Sequence, residues 1–542
     1  MHSCPCCRGL PSKRKSFVCE TKLYRSEGRY KHAARLRLRL VMVLLIFFCY
    51  FFKWRGRVHG RGRARGCRVA IIFGCADPNP LWASYFLHFS RRDTHLYSRR
   101  RGEGLSRQME VTANKARCSV VVVGGQFAGR RAARLLERGG EFDVTLVDAK
   151  GFWEYTPGSL RCLVEPGAAR RLVQAQPAGT LTAAAVNFEV SEEEEEIGKM
   201  KTVRSVELSD GTRLPADFVV LATGSSYASP IKAVHDKASC ADERRKEILA
   251  AHRVLDAAPS VLVVGGGTVG VELAAEIVGV WGRTKAVTLV TPHGRLLERM
   301  PPRAGKLATN WLQSKGVRVI LNDRIDDWGG APTDGAALEA SGGKWTLHTS
   351  KGKELHASLV YPCVGGRPCA APAKRAMSSA LAPCGGVTVD NSFQVVGLRN
   401  VFAVGDCAAT AEEKNALIAD INATAVAANI RAVYRGEPVQ AYPQSVCGTE
   451  TVPSITVVSL YKWNAVMQFN KLVLGGVLPA FIKWFIQTLQ VHSARGTFGV
   501  THLWDLVEVT NLFLARFLFL TTPFWDKSAD PEESQNGAHK QR

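Results

Sequence analysis

Two short stretches hold the residues with the clearest chemical use. In Ser119–Leu136 the valines Val120, Val121, Val122 and Val123 run into Gly124, Gly125, Gln126 and Gly129. In Ser260–Val278 the run Val261, Leu262, Val263 and Val264 leads into Gly265, Gly267 and Gly270. A β-forming run, a glycine turn and a helix together offer free N–H groups and a positive dipole end to a pyrophosphate. With copies about 140 residues apart, the chain reads as one with two dinucleotide sites. Gln126 stands where the middle glycine of G-x-G-x-x-G belongs. Its side chain is expected to lie along the phosphates and donate from its amide, at the cost of tighter geometry and weaker retention.

The ends of the next strands separate the two sites. After the first turn, "FDVTLVDAK" places Asp148 at the strand tip, where a carboxylate accepts ribose hydroxyls. After the second, "AVTLVTPHGRLL" runs into Thr291, Pro292 and His293 with Arg295 close by. With no acid at that tip, the second site is expected to take NADPH as well as NADH. Arg295 reads equally as a solvated surface residue. A third strand, in "LRNVFAVGDCAA", ends in Gly405 and Asp406 and precedes a helix from about Asn415. The aspartate there suits a ribityl hydroxyl, and the helix end suits the flavin or its pyrophosphate. Ala222, Thr223 and Gly224 close the first half, and Cys363 to Gly366 close the second. Order and spacing predict an α/β fold with two Rossmann-like dinucleotide-binding domains, an NAD(P) domain inserted in an FAD domain, plus a C-terminal extension. The expected boundaries are 109–256 and 385–440 for FAD, 257–384 for NAD(P)H and 441–542 for the extension.

Those elements occupy only part of a 542-residue chain whose net charge is +23. Residues 1–108 hold 24 Lys/Arg against 5 Asp/Glu, whereas the rest hold 47 against 43. The basicity therefore belongs to a leader, and a nucleic-acid partner is not expected of the body. Within the leader, Leu40–Phe52 is a run of 13 apolar residues flanked by arginines and lysines. That is shorter than the roughly 20 residues of a spanning helix. It reads as an uncleaved anchor, as part of a basic tail, or as sequence upstream of a true start at Met109. The eight cysteines from Cys118 onward form no C-x-x-C or C-x-x-x-x-C pair. A zinc ribbon and a redox-active disulfide are thus not expected, and free thiols suit a reducing compartment. No metal-ligand cluster or serine triad has convincing spacing, and Glu192–Glu196 reads as a solvated loop.

From Ser119 to about Tyr442 the chain resembles the ferroptosis-suppressor and apoptosis-inducing-factor-like flavoproteins. The likeness is clearest in "DAKGFWEYTPGSLRCLVEPG", "GVELAAEI" and "VDNSFQVVGLRNVFAVGDCA". It implies FAD-dependent oxidation of NAD(P)H with delivery of electrons to a quinone at a membrane surface. By the same resemblance Glu272 belongs near the nicotinamide and flavin, Lys414 on the quinone side, Lys232 in the flavin pocket, and Arg161 near the flavin. Each also reads as a structural residue: Glu272 at a helix dipole, the lysines as exposed, Arg161 in a salt bridge. The implied location is cytoplasmic and membrane-associated, with a mitochondrial one as the alternative. Neither His2 nor Glu110 supplies the glycine that N-myristoylation requires. Attachment is expected instead from "LPAFIKWFIQTL" and "NLFLARFLFLTTPFW", aromatic-rich segments with one basic residue each, placing Trp484 and Trp525 at headgroup depth. Core packing against the flavin domains is the alternative. Two other functions compete: a redox-controlled binding factor, and a type II NADH dehydrogenase. The second is disfavoured because "NALIADINATAVAANI" lacks a quinone-contacting glutamine.

Overall fold

The strand Cys118–Val123 lies at the centre of a five-stranded sheet, between Phe142–Asp148 and Phe218–Leu221 and parallel to both. Its valines do not alternate with polar residues because both faces are covered. Val120 and Val122 pack with Ala128 and Ala132, while Val121 and Val123 pack into a separate core with Val206 and Val219. Leu181–Thr182 forms one edge of the sheet, and Val401–Ala403 pairs with Phe218–Leu221 at the other. This computed structural model describes residues 117–191, 200–227, 230–233, 239–333, 344–370, 373–374, 377–443, 454–497 and 499–507. The leader, Glu192–Glu196 and the segment with Trp525 lie outside these residues.

A second parallel sheet has the order Arg318–Ile320, Ala286–Val290, Ser260–Val264, Leu359–Pro362. All four of its strands fall in the chain between Phe218–Leu221 and Val401–Ala403, so one α/β unit interrupts the other. The chain re-enters the first sheet at Val401 and then forms the helix Ala416–Arg435. Asn415 caps that helix, its Oδ1 accepting from Ile418 N at 3.0 Å, and Gly436 closes it in the left-handed region at φ 71°. By length and composition the helix could cross a membrane. It buries Ala423, Ala425, Val426 and Ile430 against the first sheet instead, which makes it a core helix.

After these units come three antiparallel strands, Ile455–Ser459, Ala465–Phe469 and Leu472–Gly476, and the helix Val477–Ala494. Val458, Leu460, Val466 and Val473 join the core of the second unit, beside Val271, Ala304 and Ala308. Each such side chain contributes about 1.5–3 kcal/mol on burial, so this seam is part of the fold and not an appendage. Tyr461 fits there because Gly279 carries no side chain; a Cβ would stand 2.2 Å from its ring. The last described helical turns, residues 500–507, are tied to the first nucleotide helix. Asp505 accepts from Arg131, from Arg134 at 3.3 Å and from Arg138 at 2.6 Å.

Candidate active site

The first glycine turn is built by contacts that admit no side chain at two positions. Gly124 has φ 111°, and a Cβ there would lie 2.2 Å from the Ala222 carbonyl oxygen. On Gly129 a Cβ would lie 1.7 Å from the Gly124 oxygen, so this glycine lets the helix Phe127–Glu137 start against the strand. Gln126 differs: its φ of −92° suits any residue. Its side chain does not lie along the phosphate site, contrary to the expectation from sequence. Nε2 donates to Phe152 O at 3.0 Å and to Asp148 Oδ2 at 3.3 Å, while Oε1 accepts from Glu154 N at 3.2 Å. The amide finds three groups beside it on the connection after Asp148, and it leaves the helix end uncapped. An uncapped end with its dipole is the anion site expected of such a turn.

Asp148 is buried and accepts from Gly125 N at 2.6 Å. Gln176 joins it, donating to the same carboxylate oxygen at 3.3 Å, and Gln176 Oε1 is buried with no hydrogen-bond partner among the described residues. A ribose diol beside Asp148 supplies the donor that this acceptor lacks, so the residues present fit the adenosine half of FAD. Sequence reading missed Gln176, which lies on no motif.

At the far end of the sheet, Ser225 Oγ donates to Asp406 Oδ2 at 2.6 Å, and Lys232 Nζ lies 3.5 Å from the same oxygen. Lys232 also donates to Ser225 O at 3.0 Å. Thr223 Oγ1 donates to the Cys369 carbonyl, and Gly224 O accepts from Cys369 N at 2.9 Å, which joins the first crossover to the chain returning from the second unit. Gly405 has φ 70°, turning the strand end toward Asp406. Lys414 donates to Ala408 O and Thr410 Oγ1, both at 2.8 Å, and burial pushes its ammonium below the usual lysine range. Thr223, Gly224, Lys232, Gly405, Asp406 and Lys414 thus gather on two adjoining connections.

The second turn repeats the first with glycine throughout. Gly265 has φ 123° and would meet the Cys363 carbonyl oxygen at 2.2 Å, and Gly270 would meet the Gly265 oxygen at 2.0 Å. Gly267, with φ −74°, has nothing within 4 Å of an added Cβ. Thr291 follows the strand Ala286–Val290 without an acid, as the sequence indicates. The loop after it adds what the strand alone does not show: Glu298 pairs with His293 at 2.7 Å. Arg295 is half-buried and tied to its own loop; it donates to the carbonyls of Leu297, Glu298 and Met300 at 3.2, 2.6 and 2.7 Å.

Glu272 and Glu276 lie one turn apart on the helix Thr268–Trp281, at the seam with the first unit and the C-terminal strands. Glu276 is buried and takes Arg161 Nη2 at 2.7 Å. Burial pushes the Glu276 carboxyl up, against the pull of Arg161. Arg161 therefore sits in the salt bridge that was its structural alternative, with its guanidinium 5.0 Å from the Tyr461 ring centre. Glu272 accepts from Ser459 N at 2.7 Å and from Lys483 Nζ. Lys483 was visible in sequence only as the single charge in "LPAFIKWFIQTL". It turns inward to this carboxylate, while Val477, Leu478, Phe481 and Trp484 stay exposed on the same helix.

The sequence profile described as "Pyridine nucleotide-disulphide oxidoreductase" matches residues 118–429. Ferroptosis suppressor protein 1 of Mus musculus is 30% identical over 335 residues, covering 61% of this chain and 85% of that protein. Apoptosis-inducing factor homolog B of Dictyostelium discoideum is 29% identical over 342 residues, 60% of this chain and 84% of its own. The sulfide:quinone oxidoreductase of Aquifex aeolicus shares the fold, with a TM-score of 0.52 at 15% identity over 70% of this chain and 92% of that one. Two glycine turns on two parallel sheets, one unit set inside the other, are what this match describes: the chain belongs to the pyridine nucleotide-disulphide oxidoreductase family and is an FAD- and NAD(P)H-dependent oxidoreductase.

Proposed function

We propose that the chain passes electrons from NAD(P)H through FAD to a quinone-type acceptor at a membrane surface. The observation that carries this reading is the pairing of two nucleotide turns with cysteines that, among the described residues, form no couple. All seven described cysteines are free. Cys162, on the helix Ser159–Val164 that also carries Arg161, is buried, and burial pushes its thiol up to about 12. A thiol in that state is no nucleophile at neutral pH. Among the described residues a disulfide or peroxidase relay is therefore unsupported, and a small diffusible acceptor fits better.

When bound, flavin supplies hydride acceptance and onward electron delivery. Gly124, Gly125, Gly129, Asp148 and Gln176 are the residues that hold its adenosine diphosphate half, with Gln126 bracing Asp148. Asp406 takes the ribityl end, and Lys232 and Lys414 put positive charge beside it. Gly265, Gly267 and Gly270 hold the nucleotide donor. Glu272, paired with Lys483, and Glu276, paired with Arg161, tie the second nucleotide helix to the C-terminal strands and the first unit.

The membrane surface is supported by the helix Val477–Ala494. Val477 and Trp484 are 62% and 49% exposed, and Leu478 and Phe481 share their side of the helix. Trp463 is 75% exposed in the adjoining turn, which the pairing of Ala465 with Gly476 brings beside Val477. Aromatic and aliphatic groups set this way suit the headgroup boundary of a bilayer. A cytoplasmic membrane face fits these features, with a mitochondrial membrane as the alternative.

The test uses the purified full chain. Bands at about 375 and 450 nm are expected of bound flavin, bleaching anaerobically on NADH or NADPH and returning with a short-chain ubiquinone. Flotation with phosphatidylcholine vesicles is expected to carry the protein upward. Bleaching without recovery would refute the quinone acceptor; a flavin that neither nucleotide bleaches would favour a binding or signalling role.

A further inference from the structure

The loop Thr291–Met300 follows the strand end at which a nucleotide unit of this fold reads the adenosine ribose. The two turns superimpose in their logic: a Cβ on Gly125 would meet Asp148 Oδ2 at 3.0 Å, and a Cβ on Gly266 would meet Thr291 Oγ1 at 2.9 Å. Thr291 therefore occupies the place that Asp148 has in the first unit, and the ribose hydroxyls of a nucleotide on the second turn lie beside it. Thr291 carries no charge to read them.

The charges that follow Thr291 are arranged asymmetrically. Leu297, at φ 53°, donates its N–H to Gly266 O at 2.8 Å, which pins the loop onto the turn and brings the next residue, Glu298, beside it. His293 Nδ1 holds the Glu298 carboxylate at 2.7 Å, and His293 is itself anchored, its carbonyl accepting from Asn322 N at 2.9 Å. Of the two arginines of the loop, one is tied to backbone and the other, 68% exposed, lies in a surface ion pair. Arg295 spends its guanidinium on three backbone carbonyls, and Arg299 is paired with Glu413 at 2.6 Å. The loop thus holds one carboxylate in place on the turn, while the guanidinium of Arg295 is occupied by backbone carbonyls.

We infer that Glu298, held by His293, accepts the 2′-hydroxyl of the adenosine ribose and opposes a 2′-phosphate, so that the chain takes NADH in preference to NADPH. This rests on the proposed function and names the donor for the same site. The chemistry is the ordinary one of a carboxylate that welcomes two hydroxyls and repels a dianion. Because Glu298 and His293 are each about half exposed (side chains 51% and 44%), the discrimination is moderate and not absolute.

The experiment is a pair of titrations on the full chain with flavin bound. Calorimetry compares ADP-ribose with its 2′-phosphate, and anaerobic flavin reduction compares NADH with NADPH. The wild-type protein is expected to favour the unphosphorylated compound by about tenfold in both. Glu298→Gln is expected to narrow that ratio to about twofold, chiefly by improving the phosphorylated ligand, since the amide oxygen still accepts from a hydroxyl. His293→Gln moves the ratio the same way by less. Equal affinities in the wild type, or a ratio that Glu298→Gln leaves unchanged, overturn the inference. If ADP-ribose discriminates as expected but neither nucleotide reduces the flavin, Glu298 stands and the proposed function falls. If neither ADP-ribose compound binds, both fall.

Discussion

The two glycine turns differ at one of their glycine positions, and the difference separates what the fold needs from what the ligand needs. Gly129 and Gly270 are jammed against the oxygens of Gly124 and Gly265, at 1.7 and 2.0 Å from a would-be Cβ. A Cβ on Gly267 would meet nothing within 4 Å, and its backbone, like that of Gln126, has an ordinary negative φ. The protein itself thus has no use for a glycine at the middle position. A glycine there serves only the approach of a pyrophosphate. In the first turn Gln126 gives up some of that room and uses its amide to brace Asp148 and the backbone of Phe152 and Glu154.

The comparison breaks most visibly at the jammed glycines. Gly129→Val forces the helix off its strand and is expected to abolish flavin retention and cooperative unfolding, read by absorbance of the purified protein and by calorimetry; costs above about 4 kcal/mol are typical of such overlap. Next comes the seam shared by both units. Lys483→Met leaves the largely covered Glu272 carboxylate with Ser459 N but without its cation, and a loss of about 1–2 kcal/mol is expected in chemical unfolding. Gly267→Gln, which copies the first turn into the second, is expected to leave the melting temperature unchanged while raising KM for NADH about tenfold, near 1.4 kcal/mol of binding. A large fall in melting temperature would show that the fold does need that glycine.

Smaller effects sharpen the same contrast. Gln126→Gly is expected to change flavin affinity by only a few-fold, about 1 kcal/mol, measured by titrating apoprotein with FAD, because room is gained and a brace is lost. Asp505 supplies a pH signal on the first nucleotide helix. Burial raises its carboxyl, but Arg138 and Arg131 outweigh that and hold it below the usual carboxylate range. Its contribution is therefore present above the ordinary value of 3.8 and lost as pH falls from there toward the lowered one. Asp505→Asn should flatten that part of an acid-unfolding curve.

Much of this arrangement was written in local runs. Val120 to Val123, the glycines and Asp148 lie within single supersecondary units, so period and spacing suffice to place them. The parts that escaped depend on distant chain segments meeting. Nothing near Glu272 announces Ser459 and Lys483, and nothing near Asp148 announces Gln176. Lys483 left a faint trace, a lone cation in an apolar helix, which is the pattern of a charge that must find a buried partner. Arg295 misled in the other direction, because a basic residue past a strand tip looks free until the loop folds its carbonyls onto it.

The region after Tyr442 carries a lesson for anyone who would trim this chain. Its strands share one core with the second unit, Tyr461 and Lys462 both reach Glu165 of the first, and Asp505 returns to the arginines of the first nucleotide helix. Cutting there would strip a wall from each nucleotide unit, exposing valines and leaving Glu272 and Arg138 without their counter-charges. A protease that nicked the backbone near residue 443 would find both fragments still clinging together. A gene cut at the same place would yield a polypeptide with a bare apolar seam, which is expected to aggregate.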